Sequence, residues 1–222
     1  MAHRPLGKEC ILTTPSPTVV PPCAPARIVV LASGTGSLLE ALLAAAGEPG
    51  YPGAVVGVVA DRTCRALDVA AQAGVESAEV PLRAYDGRAD WDAALTATVE
   101  EMEPHLVVAA GFMKILGPAF LAAFGGRVVN AHPALLPAFP GAHAVPAALE
   151  HGVKLTGSTV HLVDAGLDTG PILAQEAVAV QPGDTEETLH ERIKVVERRL
   201  LTEVVAAIAR QGYSVDGRKV TI

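Results

Sequence analysis

Arg27-Ile28-Val29-Val30-Leu31-Ala32-Ser33-Gly34-Thr35-Gly36-Ser37-Leu38-Leu39-Glu40-Ala41-Leu42-Leu43 contains a strand, a tight turn and a helix in one run. The opening residues are aliphatic and largely β-branched, the middle is small and flexible, and the last six have helical spacing with good helix formers. An apolar strand feeding a glycine-rich turn that opens a helix is the unit from which parallel α/β sheets are built. The cycle repeats downstream. Ala54 to Ala60 is a wholly apolar strand, Cys64 to Ala73 reads as a helix closed by Gly74 in the position of a C′ glycine, and a weaker strand lies near Glu79-Val80. Asp90 to Glu101 reads as a helix stopped before Pro104, and Leu106 to Ala110 and Arg127 to Asn130 read as buried strands.

Beyond His143 the pattern changes. Thr156 to Val163 and Pro171 to Val180 predict two strands joined by a short Asp/Gly segment, a hairpin that extends the sheet. Asp184 to Arg210 predicts one long helix, with Asp184 or Thr185 as N-cap and acidic residues in its first turn. Together these elements predict an α/β fold, a three-layer, mostly parallel Rossmann-like sheet with an antiparallel C-terminal extension. Ligands of such sheets bind beyond the carboxyl ends of the strands. Residues 26–222 are expected to form one domain, a size that buries a single core. Residues 1–25 read as a flexible Pro/Thr-rich leader, and Pro15, Pro17 and Pro21 break the unbroken apolar segment that a signal peptide needs.

The formal net charge of −7 and the lack of any basic run argue against a nucleic-acid partner, because phosphate neutralisation requires clustered Lys and Arg. The longest apolar stretches, such as Val55 to Ala60 and Leu106 to Ala110, fall far short of the ~20 residues that span a bilayer, so no membrane partner is expected. Cys10, Cys23 and Cys64 form neither a disulfide framework nor a metal-ligand spacing. They point to a reducing cytoplasm and no bound metal.

Four segments carry candidate chemistry. Ser33-Gly34-Thr35-Gly36-Ser37 follows the first strand, and its backbone N–H groups with the positive helix end suit a phosphate. It lacks the third glycine of the dinucleotide fingerprint, where Leu39 stands, and the P-loop Lys; an ordinary βα turn is the equal alternative. Asn130-Ala131-His132-Pro133 begins at a strand end and runs into a proline-stiffened loop, so a carboxamide donor and an imidazole are held together. That pair suits an oxyanion and a proton transfer, as acyl transfer to an amine requires, although polar groups that merely finish a strand would look the same. Asp164 to Pro171 is an acidic, Gly-rich turn whose spacing does not match an EF-hand loop. An Asp168 lying beside His132 would favour the imidazolium and could accept a proton through water. Ala110 to Gly117 follows another buried strand, and Met113, Ile115 and Leu116 could line a flat apolar slot or simply pack in the core.

In order and spacing these segments, with Phe139-Pro140-Gly141-Ala142-His143 and Gly157-Ser158-Thr159-Val160-His161, resemble the glycinamide ribonucleotide formyltransferase family from about Arg27 to about Leu201. The resemblance implies the formyltransferase fold and transfer of a formyl group from 10-formyltetrahydrofolate to the amine of glycinamide ribonucleotide, in de novo purine biosynthesis. The folate is a co-substrate, and no tightly bound cofactor is implied. By the same resemblance Asn130, His132 and Asp168 are catalytic, Asn130 and His132 stabilising the tetrahedral intermediate and Asp168 orienting water. Gly36, Ser37 and Leu38 match the substrate-phosphate loop, Lys194 a position that reaches the phosphate, and Glu197 one that binds the substrate amine. Arg88, Met113, Lys114, Ile115, Leu116 and Asn130 match folate contacts, with loop 164–168 closing over the pterin. Leu38, Lys114 and Ala134 stand where the family often has Asn, Arg and Ser, departures that bear on affinity and not on reaction class. Related folate-dependent formyltransferases and formyltetrahydrofolate hydrolases share the formyl-folate half. The former usually carry a second domain for a larger acceptor, and a non-catalytic nucleotide-binding module would have no need of the three polar residues. Partners are thus expected to be small-molecule substrates, with a homodimer left open.

Overall fold

Strand β2 (Ala26–Ala32) is the centre on which the sheet is assembled. The computed structural model describes residues 18–222; Cys10 and residues 1–17 of the expected leader lie outside the described residues. In chain order the elements are β1 (Thr18–Val20), β2, α1 (Ser37–Gly47), β3 (Gly53–Ala60), α2 (Arg65–Gln72), β4 (Glu76–Glu79), α3 (Arg88–Glu101) and β5 (Leu106–Ala109). There follow α4 (Pro118–Phe124), β6 (Val128–His132), α5 (Ala144–Glu150), β7 (Leu155–Leu162), β8 (Ile172–Ala179), α6 (Glu186–Gln211), β9 (Tyr213–Asp216) and β10 (Lys219–Thr221).

Among the described residues ten strands form one sheet in the order β1-β9-β10-β8-β7-β6-β5-β2-β3-β4. From β4 to β6 the pairing is parallel, and β7 and β8 add antiparallel to it, as the hairpin pattern after His143 predicts. The inner parallel strands β2, β3, β5 and β6 are largely buried on both faces, which is why they read as apolar runs, whereas the edge strand β4 is polar and mostly exposed. Two layers of helix cover them. Leu38, Leu39 and Leu42 of α1, Ala66 and Val69 of α2, and Leu201, Val204, Val205 and Ile208 of α6 pack with Ile28, Val30 and Val108 on one face. Trp91, Leu95 and Val99 of α3 and Phe120 and Phe124 of α4 pack with Val29, Leu31 and Val107 on the other.

Several elements depart from the sequence expectation. Part of the segment read as leader is a strand: β1 pairs antiparallel with β9, and the Cys23 N–H donates to Ala209 O at 3.0 Å. The C-terminal pair β9 and β10, and helix α5, give no periodic signal because they are 3 to 7 residues long. The long helix does begin at its capping signal, since Thr185 accepts from Thr188 N at 3.2 Å and Thr188 Oγ1 accepts from Thr185 N at 2.9 Å.

Candidate active site

The chain leaves β2 toward β3 and β4 on one side, and β5 and β6 lie on the other, so β2 and β5 bracket the point where the strand order reverses. A crevice opens at such a switch point beyond the carboxyl ends of the strands. Here it is a cavity of about 470 Å3 walled by Gly34 to Leu38 after β2, Ala109 to Leu116 after β5, Asn130 to Pro133 at the end of β6, loop 164–168, and His190, Lys194 and Glu197 of α6.

Part of the cavity wall is a polar cluster. Antiparallel pairing of β6 with β7 sets Asn130 opposite His161 and His132 opposite Thr159. The Asn130 amide nitrogen stands 3.1 Å from His161 Nε2, while His161 Nδ1 donates to Leu162 O at 2.8 Å. A carbonyl only accepts, so His161 carries its proton on Nδ1 and takes one N–H of Asn130 on Nε2. Asn130 is thereby oriented and has a second N–H to offer. Asp168 sits between the two imidazoles, its carboxylate oxygens 3.4 Å from His132 Nδ1 and 3.7 Å from His161 Nε2. The residue holds a left-handed backbone, φ +53, and accepts from Gly141 N at 2.7 Å. Its carboxyl lies below the usual range, the neighbouring His161 ring counting for more than burial, with the Gly141 N–H and His132 adding to it. His132 is held on its other edge, where Nε2 donates to Phe139 O at 2.8 Å. Asp168 does push the imidazole toward its charged form, as its position predicts. Burial is nonetheless the larger effect and holds the His132 pKa below the ordinary value. The resting pair is thus a neutral imidazole beside a carboxylate. The Asn-x-His and Asp signals lie in the sequence. His161 as the partner of Asn130 does not emerge from them, because only the register of β7 against β6 brings it there.

The cavity also reaches the N-terminus of α1. Gly36 turns the chain with φ +78, and a Cβ there would stand 3.0 Å from Ala66 Cα, so the position requires glycine. The Leu38 side chain is buried in the core, which leaves the backbone N–H groups of the turn to face a ligand. In the same cavity wall His190, Lys194 and Glu197, spaced four and three residues apart, form one stripe of α6. Lys194 Nζ lies 2.7 Å from Glu191 Oε1. Glu197 is 6% exposed, and burial pushes its carboxyl up to about 7 against the pull of Lys194 and Arg198.

Loop 111–117 forms the remaining wall, with Met113 and Ile115 exposed and Leu116 buried. It is tied at Met113 and at its C-terminal end. Met113 N donates to Ser33 Oγ at 2.8 Å, and Gly117 N and Ala119 N donate to the two carboxylate oxygens of Asp92 at 3.0 and 2.8 Å. Arg88 is not among the lining residues. Its guanidinium donates to Ile115 O and lies over the Trp91 ring, so it touches the back of the wall. Lys114 stands 3.7 Å from Asp61, a buried carboxylate.

Comparison with known proteins gives consistent matches. The formyl transferase family profile matches residues 26–205. A phosphoribosylglycinamide formyltransferase of Mycobacterium tuberculosis is 62% identical over 207 residues, 93% of this chain and 95% of that protein. One from Bacillus subtilis is 36% identical over 81% of this chain and 92% of its own length. Among solved structures, glycinamide ribonucleotide transformylase 1 from Symbiobacterium toebii superposes with a TM-score of 0.87 at 43% identity, covering 89% of this chain and 93% of that one.

Proposed function

The chain belongs to the formyl transferase family, and we propose that it transfers the formyl group of 10-formyltetrahydrofolate to the amine of glycinamide ribonucleotide, in purine biosynthesis. The observation that carries this reading is the meeting of Asn130, His132 and Asp168 in a cavity whose wall also includes the α1 turn and Lys194. An anionic acceptor anchored at the turn would extend its amine toward the polar cluster. The exposed Met113 and Ile115 and the backbone of loop 111–117 would take the flat ring of the donor, with Lys114 at the mouth and loop 164–168 alongside. Arg88 serves that pocket by holding Ile115 O. Glu197 would meet the polar groups of the acceptor.

The amine lone pair attacks the formyl carbon, the carbonyl π pair moves to oxygen, and a tetrahedral adduct forms with a positive nitrogen and a negative oxygen. Asn130 donates its free N–H to that oxygen. The neutral His132, with Nδ1 unprotonated, takes the ammonium proton directly or through a water held by Asp168, whose charge steadies the resulting imidazolium. Return of that proton to N10 of the folate lets the carbon–nitrogen bond break, giving formylated acceptor and tetrahydrofolate. No covalent enzyme intermediate is involved. The folate enters and leaves with each turnover as a co-substrate, and the chain works on small molecules in the cytoplasm.

The test is to mix the protein with 10-formyl-5,8-dideazafolate, with and without glycinamide ribonucleotide, and to follow the deformylated product by absorbance. Turnover is expected only with the acceptor, and His132→Ala and Asp168→Asn are each expected to lower kcat by about a hundredfold or more. Turnover without acceptor would mark a hydrolase. Silence with either would move the reading to another formyl acceptor.

A further inference from the structure

His132 is flanked on both edges by groups that accept. Phe139 O lies 2.8 Å from Nε2 and Asp168 Oδ2 lies 3.4 Å from Nδ1. A neutral imidazole has one proton for these two neighbours, so which acceptor receives it decides which nitrogen has a lone pair to work with. The carbonyl is the nearer, and its aim depends on an uncommon backbone. Phe139 has φ +54, in the left-handed region that a side chain disfavours. Its ring packs edge-on against His151 with centroids 5.3 Å apart, and Ala138 N, just before it, donates to Leu135 O at 3.0 Å. Two residues later Gly141, φ +88, points its N–H at Asp168. One short turn thus addresses both members of the His132–Asp168 pair, with a carbonyl to the imidazole and an N–H to the carboxylate.

We infer that Phe139 is a positioning residue: its left-handed backbone aims its carbonyl at His132 Nε2, fixes the Nε2–H tautomer, and leaves Nδ1 as the nitrogen that exchanges protons with the reacting centre. The inference rests on His132 being the proton carrier proposed above. It adds a specific geometric requirement. Were the carbonyl to swing away, the proton would move to Nδ1 to meet Asp168, and the lone pair would point at Nε2, away from the carboxylate. The imidazole would still be present and still titrate, with its basic atom on the wrong side.

Long-range 1H–15N correlation spectra of the free, 15N-labelled protein test this, with the His132 signals assigned by their loss in His132→Gln. At a pH where the imidazole is neutral, Nε2 is expected to carry the proton and Nδ1 to be bare. Two variants separate the backbone from the ring, since both lose the contact with His151. Phe139→Val introduces a β-branched residue that resists positive φ, and is expected to mix the tautomers and lower kcat about tenfold with little change in KM. Phe139→Asn tolerates positive φ and is expected to recover most of that loss and the Nε2–H signature. A wild-type spectrum showing Nδ1–H overturns the inference without needing any variant to fold. So does equal behaviour of the two variants in both tautomer and kcat. Full activity in His132→Ala would instead count against the catalytic assignment, which the spectrum of the free protein does not address.

Discussion

Glu197 shows how one side chain carries a cost that its site explains. Burying a carboxyl favours the protonated form, and the folded-state pKa of about 7 lies above the ordinary value of 4.5. The folded chain therefore binds more protons than the unfolded one between those two values, and stability falls as pH rises through that window. Once Glu197 is fully ionised the penalty is about 3 kcal/mol. Glu197→Gln removes the titration. Its melting temperature relative to wild type should therefore be higher at pH 8 than at pH 5 by roughly 5 °C, given ~2–4 °C per kcal/mol for a domain of this size. An equal gap at both pH values, read by calorimetry, would mean that the carboxyl is not raised. A ligand group that donates to this carboxylate would repay part of the penalty on binding, which is a reason to keep an acid at that position.

At the scale of elements, the wall formed by loop 111–117 depends on a residue that touches no ligand. Asp92 lies inside α3, 4% exposed, and its two carboxylate oxygens take the N–H groups of Gly117 and Ala119 at the start of α4. A carboxylate from one helix thus caps the N-terminus of another, where it also meets the positive helix end. Asp92→Ala would leave both N–H groups unpaired in a buried place and is expected to cost about 2–3 kcal/mol. Asp92→Asn should be little better, because one oxygen becomes a donor facing a donor. Both variants should raise the KM for the formyl donor by more than they lower kcat, since they loosen its wall and leave the polar cluster alone. Steady-state kinetics with each substrate varied in turn check this, and a pure kcat defect would contradict it. Gly117 is constrained from the same side: a Cβ there would stand 2.3 Å from the Asp92 carboxylate, so Gly117→Ala should behave like loss of the anchor.

At the scale of the whole molecule, the sheet ends on β1, outside the part the apolar runs foretell. Its pairing with β9 covers an edge that would otherwise be open. The fit is close: the Val20 carbonyl comes so near Gly212, φ +67, that a Cβ there would stand 2.3 Å from it. A chain that starts at Pro21 should melt lower than one that starts at Thr18, and should associate more readily through the bared β9. Scanning calorimetry and size-exclusion chromatography of the two compare them directly, and identical behaviour would mean that β1 carries no weight.

The central parallel strands and the helices between them were legible because each is a local pattern: Arg27 to Leu43 contains its strand, turn and helix within itself, and Thr185 with Thr188 caps α6 three residues apart. The formyl transfer family was legible too, from several short segments in the right order. What the linear pattern could not supply is pairing between distant segments. Strands β1, β9 and β10 are too short to show periodicity and exist because partners far along the chain offer them hydrogen bonds. His161 meets Asn130 through the register of β7 on β6, Asp92 meets α4 through helix packing, and Arg88, matched to a folate contact, holds the Ile115 carbonyl of the loop. The neutral state of His132 belongs with these. Its neighbour Asp168 can be named from sequence order and argues for a charged ring, but the burial that outweighs it is a property of the assembled core. Sequence by itself determines local backbone preference and the chemical types available, because those depend on neighbours in the chain. Which groups touch, and which protonation state each prefers, is decided by tertiary packing, because desolvation and pairing act between residues that only the fold brings together.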